Sequence, residues 1–118
     1  MTHADLLNLP RLLERLEDDR ELLLEIFDVF IEETPARRER IGEAVQSGDL
    51  TAVVQWAHAL KGTSGTLQAV PLNEICYRLE MAARAGDAPL AHSLIPVAVD
   101  LLDRTAAHIA ELRAEMTS

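Results

Sequence analysis

Apolar residues recur along this chain at intervals of three and four, the period of a helix with one buried face. The pattern is clearest where Val53, Ala57, Leu60, Ser64 and Leu67 step by four, three, four and three. Sustained period-two alternation is absent and β-branched residues do not cluster, so strands are not expected. A short helix runs through Leu16 with Pro10 in its first turn, where a missing N–H costs nothing. Asp18 or Asp19 caps the next helix, whose stripe is Leu22, Leu23, Ile26, Val29 and Phe30, ending at Glu33. Pro35 interrupts that stripe, which resumes through Ile41, Ala44 and Val45. This predicts one long helix kinked near Thr34, or two abutting helices.

Ser47-Gly48-Asp49 ends one helix and caps another. A third main helix is predicted from about Leu50 to about Leu67. Pro71 marks the start of a fourth, which runs to about Ala85, and Gly86-Asp87 repeats the stop-and-start punctuation. The last helix spans about Ala88 to Met116. Pro89 suits its first turn, whereas Pro96 lies deeper and predicts a kink or a late start. Substantial helices joined by short turns pack best as an antiparallel up-down four-helix bundle. The expected fold is therefore all-α, with a short extra N-terminal helix, and residues 1–118 read as a single domain.

Composition narrows the function. Of 118 residues, 48% are apolar and only 3% aromatic, so the core must be built from Leu, Ile, Val and Ala. The formal net charge of -9 argues against nucleic acid, whose binding needs a basic footprint, and against anionic membrane surfaces. It favours partners with basic patches. No apolar run reaches the length of a membrane span, and Met1-Thr2-His3-Ala4-Asp5 lacks a secretory start. A cytoplasmic protein is the simplest reading. The single cysteine, Cys76, lies on an apolar stripe with Leu72, Ile75 and Leu79 and reads as a small buried hydrophobe. Trp56 is expected along the bundle edge. His3, His92 and His108 lack ligand spacing, so no metal site is expected.

The candidate chemistry lies between Ala57 and Ala69. His58 sits one residue off the buried stripe of the third helix. Thr51, Gln55, His58, Gly62 and Gly65 form a flank that is polar or bare, so the ring should project at the border of the core. Lys61 and Gly62 lie one turn on, on the same face. Glycine inside a helix costs about 1 kcal/mol relative to alanine, so two of them beside one histidine imply a steric requirement. A bulky residue at 62 would cover the imidazole, and Gly62 is read as the access position. Gly65 fits either access or close helix packing. Lys61 places a cation by the ring, and Thr63 and Ser64 offer hydroxyls. Histidine is both a nucleophile and a group that titrates near neutrality.

This stretch resembles the signature of histidine-containing phosphotransfer (HPt) domains, roughly A-H-x-L-K-G-x-S/A, then L-x-x-L-C-x-x-L-E after a small-residue turn. Ala57, His58, Leu60, Lys61, Gly62 and Ser64 match the first part. Leu72, Ile75, Cys76, Leu79 and Glu80 match the second, and Ala83-Arg84-Ala85-Gly86-Asp87 continues it. One position departs: Gln68 stands where the family usually has glycine, which bears on the turn after the active helix and on partner fit. The resemblance implies a phosphoryl carrier with no kinase activity of its own. His58 would take the group from a receiver-domain aspartate and pass it to another receiver. Glu80 would orient the imidazole from the fourth helix, and Lys61 would offset charge on the phosphorylated ring. Ser64 is a further candidate hydrogen-bond donor. No cofactor is implied beyond Mg²⁺ supplied by the receiver. The implied partners are response-regulator receiver domains and a hybrid sensor histidine kinase, with the chain itself a monomer. A rival reading is an adaptor that docks receiver or kinase domains without taking phosphate.

Overall fold

The computed structural model describes residues 5–118; His3 and the start of the chain lie outside them. The described residues form five helices: α1 (Leu9–Arg15), α2 (Arg20–Ser47), α3 (Leu50–Thr66), α4 (Val70–Arg84) and α5 (Ala88–Thr117). Four of them begin at a side chain that accepts an orphan backbone N–H. Asn8 accepts from Arg11, Asp19 from Leu22, Asp49 from Thr51 and Ala52, and Asp87 from Leu90. Asp19, not Asp18, is the cap of α2. Helix α4 has no such cap; it starts at Val70, one residue before the expected Pro71, which occupies its first turn.

Helix ends α1, α3 and α4 share one device. The residue after the C-cap turns left-handed, so that two N–H groups reach back to orphan carbonyls. At the end of α4 this is Gly86, with φ +73°. At the end of α3 it is Gln68, with φ +60°, and Gln68 N–H meets Gly65 O at 3.1 Å while Ala69 N–H meets Ser64 O at 2.9 Å. Gln68 therefore keeps a turn that suits glycine, at a cost of about 1–2 kcal/mol for a residue with a Cβ. Its side-chain amide donates to Gly65 O at 3.2 Å.

Helix α3 packs on α4, α4 on α5, α5 on α2, and α2 closes the ring against α3. The bundle is 44 Å long and about half as wide, 23 by 22 Å. Its core is Phe27, Phe30, Leu60, Leu79, Leu102 and Ile109 with their neighbours, all buried. Leu6, Leu7 and Leu12 are buried as well, and Asn8 N–H is hooked to Gln68 O at 2.9 Å. The N-terminal segment thus packs at the end of the bundle formed by the α3–α4 turn.

Helix α2 is the one long helix of the two alternatives, and it departs from expectation in the width of its stripe. It runs unbroken through Pro35, although Ile31 loses the N–H that its carbonyl would otherwise accept. The adjacent Thr34 hydroxyl donates to Phe30 O at 2.7 Å. Its buried line is Leu23, Phe27, Phe30, Thr34, Ile41 and Ala44, whereas Leu22, Val29 and Val45 are exposed. The apolar stripe is wider than the core can cover. Leu22, Ile26 and Val29, spaced four and three apart, form a second row that looks outward along α3. Helix α5 likewise continues through Pro96 from a start at Ala88, which excludes the late start. Ion pairs Arg38–Asp103 and Arg113–Asp28 tie α2 to α5. Cys76 is fully buried, and burial pushes its thiol up to about 12. Trp56 packs half-buried against the core. Among the described residues no helix is long and apolar enough to cross a membrane.

Candidate functional site

Helix α3 carries Ala57 and Leu60 inward, which leaves His58 and Lys61 on the flank that faces α4. On α4, Leu72, Cys76 and Leu79 are buried by the same periodicity, and Glu80 follows on the α3 side. The two helices bring His58 and Glu80 together across 22 residues of sequence. Nδ1 of His58 lies 3.2 Å from each carboxylate oxygen of Glu80. The His58 side chain is 63% exposed and that of Glu80 only 4%.

A carboxylate in so little solvent needs compensating charge. Lys61 Nζ stands 2.9 Å from Oε1 and Arg84 Nε 2.8 Å from Oε2, one cation on each oxygen. The Lys61 hydrogen bond is the main reason that the Glu80 carboxyl falls from 4.5 to about 2. Burial opposes the shift, and Arg84 and His58 add to it. Glu80 is thus an anion at neutral pH and can only accept hydrogen bonds. Nδ1 must then carry a proton, so that in the neutral ring the lone pair lies on Nε2, which has no hydrogen-bond partner among the described residues. Lys61 Nζ also lies 5.5 Å from the centroid of the Tyr77 ring, within cation–π range.

The two glycines have different settings. A Cβ added at Gly62 would meet nothing within 4 Å, so the protein's own packing does not require a bare residue there. A Cβ at Gly65 would come within 3.2 Å of Asn73 Nδ2, so Gly65 serves close helix packing. The hydroxyls of the neighbourhood turn away from the ring, contrary to expectation. Ser64 is fully buried and donates to Lys61 O at 3.0 Å, and Thr63 donates to Ala59 O at 3.2 Å. A helix gives both side chains a backbone carbonyl three or four residues back, and both take it.

Sequence reading missed Arg84, Tyr77 and Asn73 as neighbours of the site. Arg84 and Tyr77 stand four residues after and three before Glu80, and that spacing alone placed them on its face. Asn73 carries no such local signal. On the opposite flank of α3, Leu22, Ile26, Val29, Thr63, Thr66 and Leu67 line an open groove of about 370 Å³ against α2.

Comparison with known proteins places this geometry. No curated protein matches the sequence. Among solved structures, the histidine-containing phosphotransfer protein B (HptB) of Pseudomonas aeruginosa PAO1 is 28% identical. It superposes with a TM-score of 0.81 over 89% of this chain and 92% of its own. The HPT domain of a sensor hybrid histidine kinase from Shewanella is 18% identical and shares the fold, with a TM-score of 0.86 over 97% of this chain and 98% of its own. The Hpt domain profile matches residues 25–116, a span that holds His58, its carboxylate and both cations, and the chain accordingly belongs to the Hpt domain family.

Proposed function

We propose that this chain is a phosphoryl carrier of a two-component phosphorelay, with Nε2 of His58 as the nucleophile. One observation carries the reading: an exposed imidazole is held at Nδ1 by a buried, ionised carboxylate, which leaves Nε2 free. The donor is an aspartyl phosphate on a receiver domain. The Nε2 lone pair attacks phosphorus in line, the bond to the aspartyl oxygen breaks, and the aspartate leaves as a carboxylate with that electron pair. The ring retains its Nδ1 proton and gains positive charge, which Glu80 stabilises where it forms. Lys61 offsets charge on the phosphoryl oxygens. The reverse reaction on a second receiver returns the group to an aspartate. Positioning and electrostatics are what such a transfer needs from this side; the receiver supplies the Mg²⁺.

The receiver docks over Gly62 and reaches across α3 onto the groove against α2, where Leu22, Ile26 and Val29 offer apolar contact. Open space at Gly62 supports this, since its bareness serves nothing inside the chain. The chain acts as a monomer in the cytoplasm, where receiver domains and a hybrid kinase are its partners.

Incubation with a phosphorylated receiver should give acid-labile, base-stable label on the protein. Label that survives His58→Gln refutes the assignment. Gly62→Gln should slow transfer at least tenfold while leaving the helical signal unchanged, as a Cβ there meets no neighbour within 4 Å. An unaltered rate would refute the docking argument.

A further inference from the structure

We infer that Asn73 is a positioning residue, which locks the α3–α4 register that sets His58 against Glu80. It rests on the phosphotransfer reading for its kinetic consequence, though not for its structural one. Helices α3 and α4 are antiparallel, so residues that face each other have numbers of constant sum. His58 faces Glu80, and Gly65 faces Asn73. Both pairs sum to 138, and each step is seven residues, two helical turns. The Gly65–Asn73 contact is therefore the same register read two turns along.

That contact is built rather than incidental. Asn73 Nδ2 donates to Lys61 O at 2.8 Å, a bond from the first turn of α4 to the backbone of the residue that holds Glu80 Oε1. The bareness of Gly65 leaves room for that amide, since a Cβ there would stand 3.2 Å from the nitrogen and press it aside by a few tenths of an ångström. Ser64 donates to the same carbonyl from the other side at 3.0 Å. Three separate features thus converge on Lys61 O. The His58–Glu80 contacts, at 3.2 Å each, lie at the long limit of an N–H···O bond. A slip of a few tenths of an ångström between the helices breaks them. Asn73 touches neither the ring nor the groove on α2, so its effect passes through geometry alone.

Three variants test this, measured well below their melting temperatures. Asn73→Ala should slow transfer at saturating receiver by about five- to twentyfold, the scale expected for misplacement of a reacting group. The receiver concentration for half-maximal rate should stay within twofold. Asn73→Asp has the same shape but sets an acceptor against the Lys61 carbonyl, so it should be slower still. The ¹⁵N resonances of the His58 ring should leave the Nδ1–H pattern in both. Gly65→Ala gains helix propensity in either background, so its effect on the melting temperature should be less favourable in the wild type, where the Asn73 amide has to give way, than in the Asn73→Ala background. Unchanged ring resonances and unchanged rate in Asn73→Ala would reduce Asn73 to a structural residue and overturn the inference. If the wild type takes no label from any receiver, the functional reading falls. The ring resonances and the Gly65 coupling then still decide the role of Asn73.

Discussion

Replacing Glu80 by glutamine keeps the shape of the side chain and removes its charge, which isolates what the carboxylate does. Both of its oxygens face donors: Lys61 at 2.9 Å, Arg84 at 2.8 Å and His58 Nδ1 at 3.2 Å from each. An amide has one accepting atom and one donating atom, so at least one of these donors meets another donor. The least costly escape is for the ring to change tautomer, with Nδ1 accepting from the amide. That moves the proton to Nε2 and removes the nucleophilic lone pair. A hydrogen bond to a charged acceptor exceeds one to a neutral acceptor by about 1–2 kcal/mol, which corresponds to about five- to thirtyfold in rate. Stability should fall less steeply. The side chains of Lys61 and Arg84 are 29% and 51% exposed and recover hydration, so a loss of about 1–2 kcal/mol is expected. Rapid-quench transfer from a labelled receiver measures the rate, and long-range ¹H–¹⁵N spectra of the ring report the tautomer. A Glu80→Gln protein that transfers within twofold of wild type, with the proton still on Nδ1, would refute the orienting role.

The same carboxylate predicts an acid limb. Its folded value, about 2, lies below the ordinary 4.5, so its contribution is fully present above pH 4.5 and is lost as pH falls toward 2. The stability gap between wild type and Glu80→Gln in denaturant should narrow across that window; a constant gap would contradict it. Gln68→Gly should relieve the left-handed strain and stabilise the fold by about 0.5–1 kcal/mol, after the entropy of glycine is subtracted. A rise of a few degrees in melting temperature checks this, and a fall would mean that the Gln68 amide bond to Gly65 outweighs the strain. Cys76, with its thiol pushed up to about 12 by burial, should react with a thiol reagent only as fast as the protein opens. Rapid labelling of the native state would refute that burial.

The cluster around His58 was legible because its geometry is local. His58, Lys61 and Gly62 share one face within a single turn, and helix geometry alone relates them. The caps were legible for the same reason, since Asp19, Asp49 and Asp87 each serve N–H groups two or three residues on. The breadth of the α2 stripe was not. Periodicity says that Leu22, Val29 and Phe27 are apolar but cannot say which row the bundle covers, because that depends on where α3 and α5 come to rest. The hydroxyls of Thr63 and Ser64 were misjudged from proximity in sequence, since a helix offers them its own carbonyls first. Gly65 could not be told from Gly62 until the neighbour at Asn73, eight residues on, was in place.

The side-on placement of His58 has a kinetic corollary. A ring that is 63% exposed on the flank of a rigid cylinder has no walls, so the chain cannot shield a phosphoryl group from the solvent. On the phosphotransfer reading proposed above, cargo on that nitrogen would travel unprotected, and the lifetime of the N–P bond in water would become the clock of the relay. Any enclosure at the moment of exchange has to come from the protein that meets it. A carrier of this form would give up custody to gain approach from a wide solid angle, an arrangement suited to one donor site that serves more than one recipient.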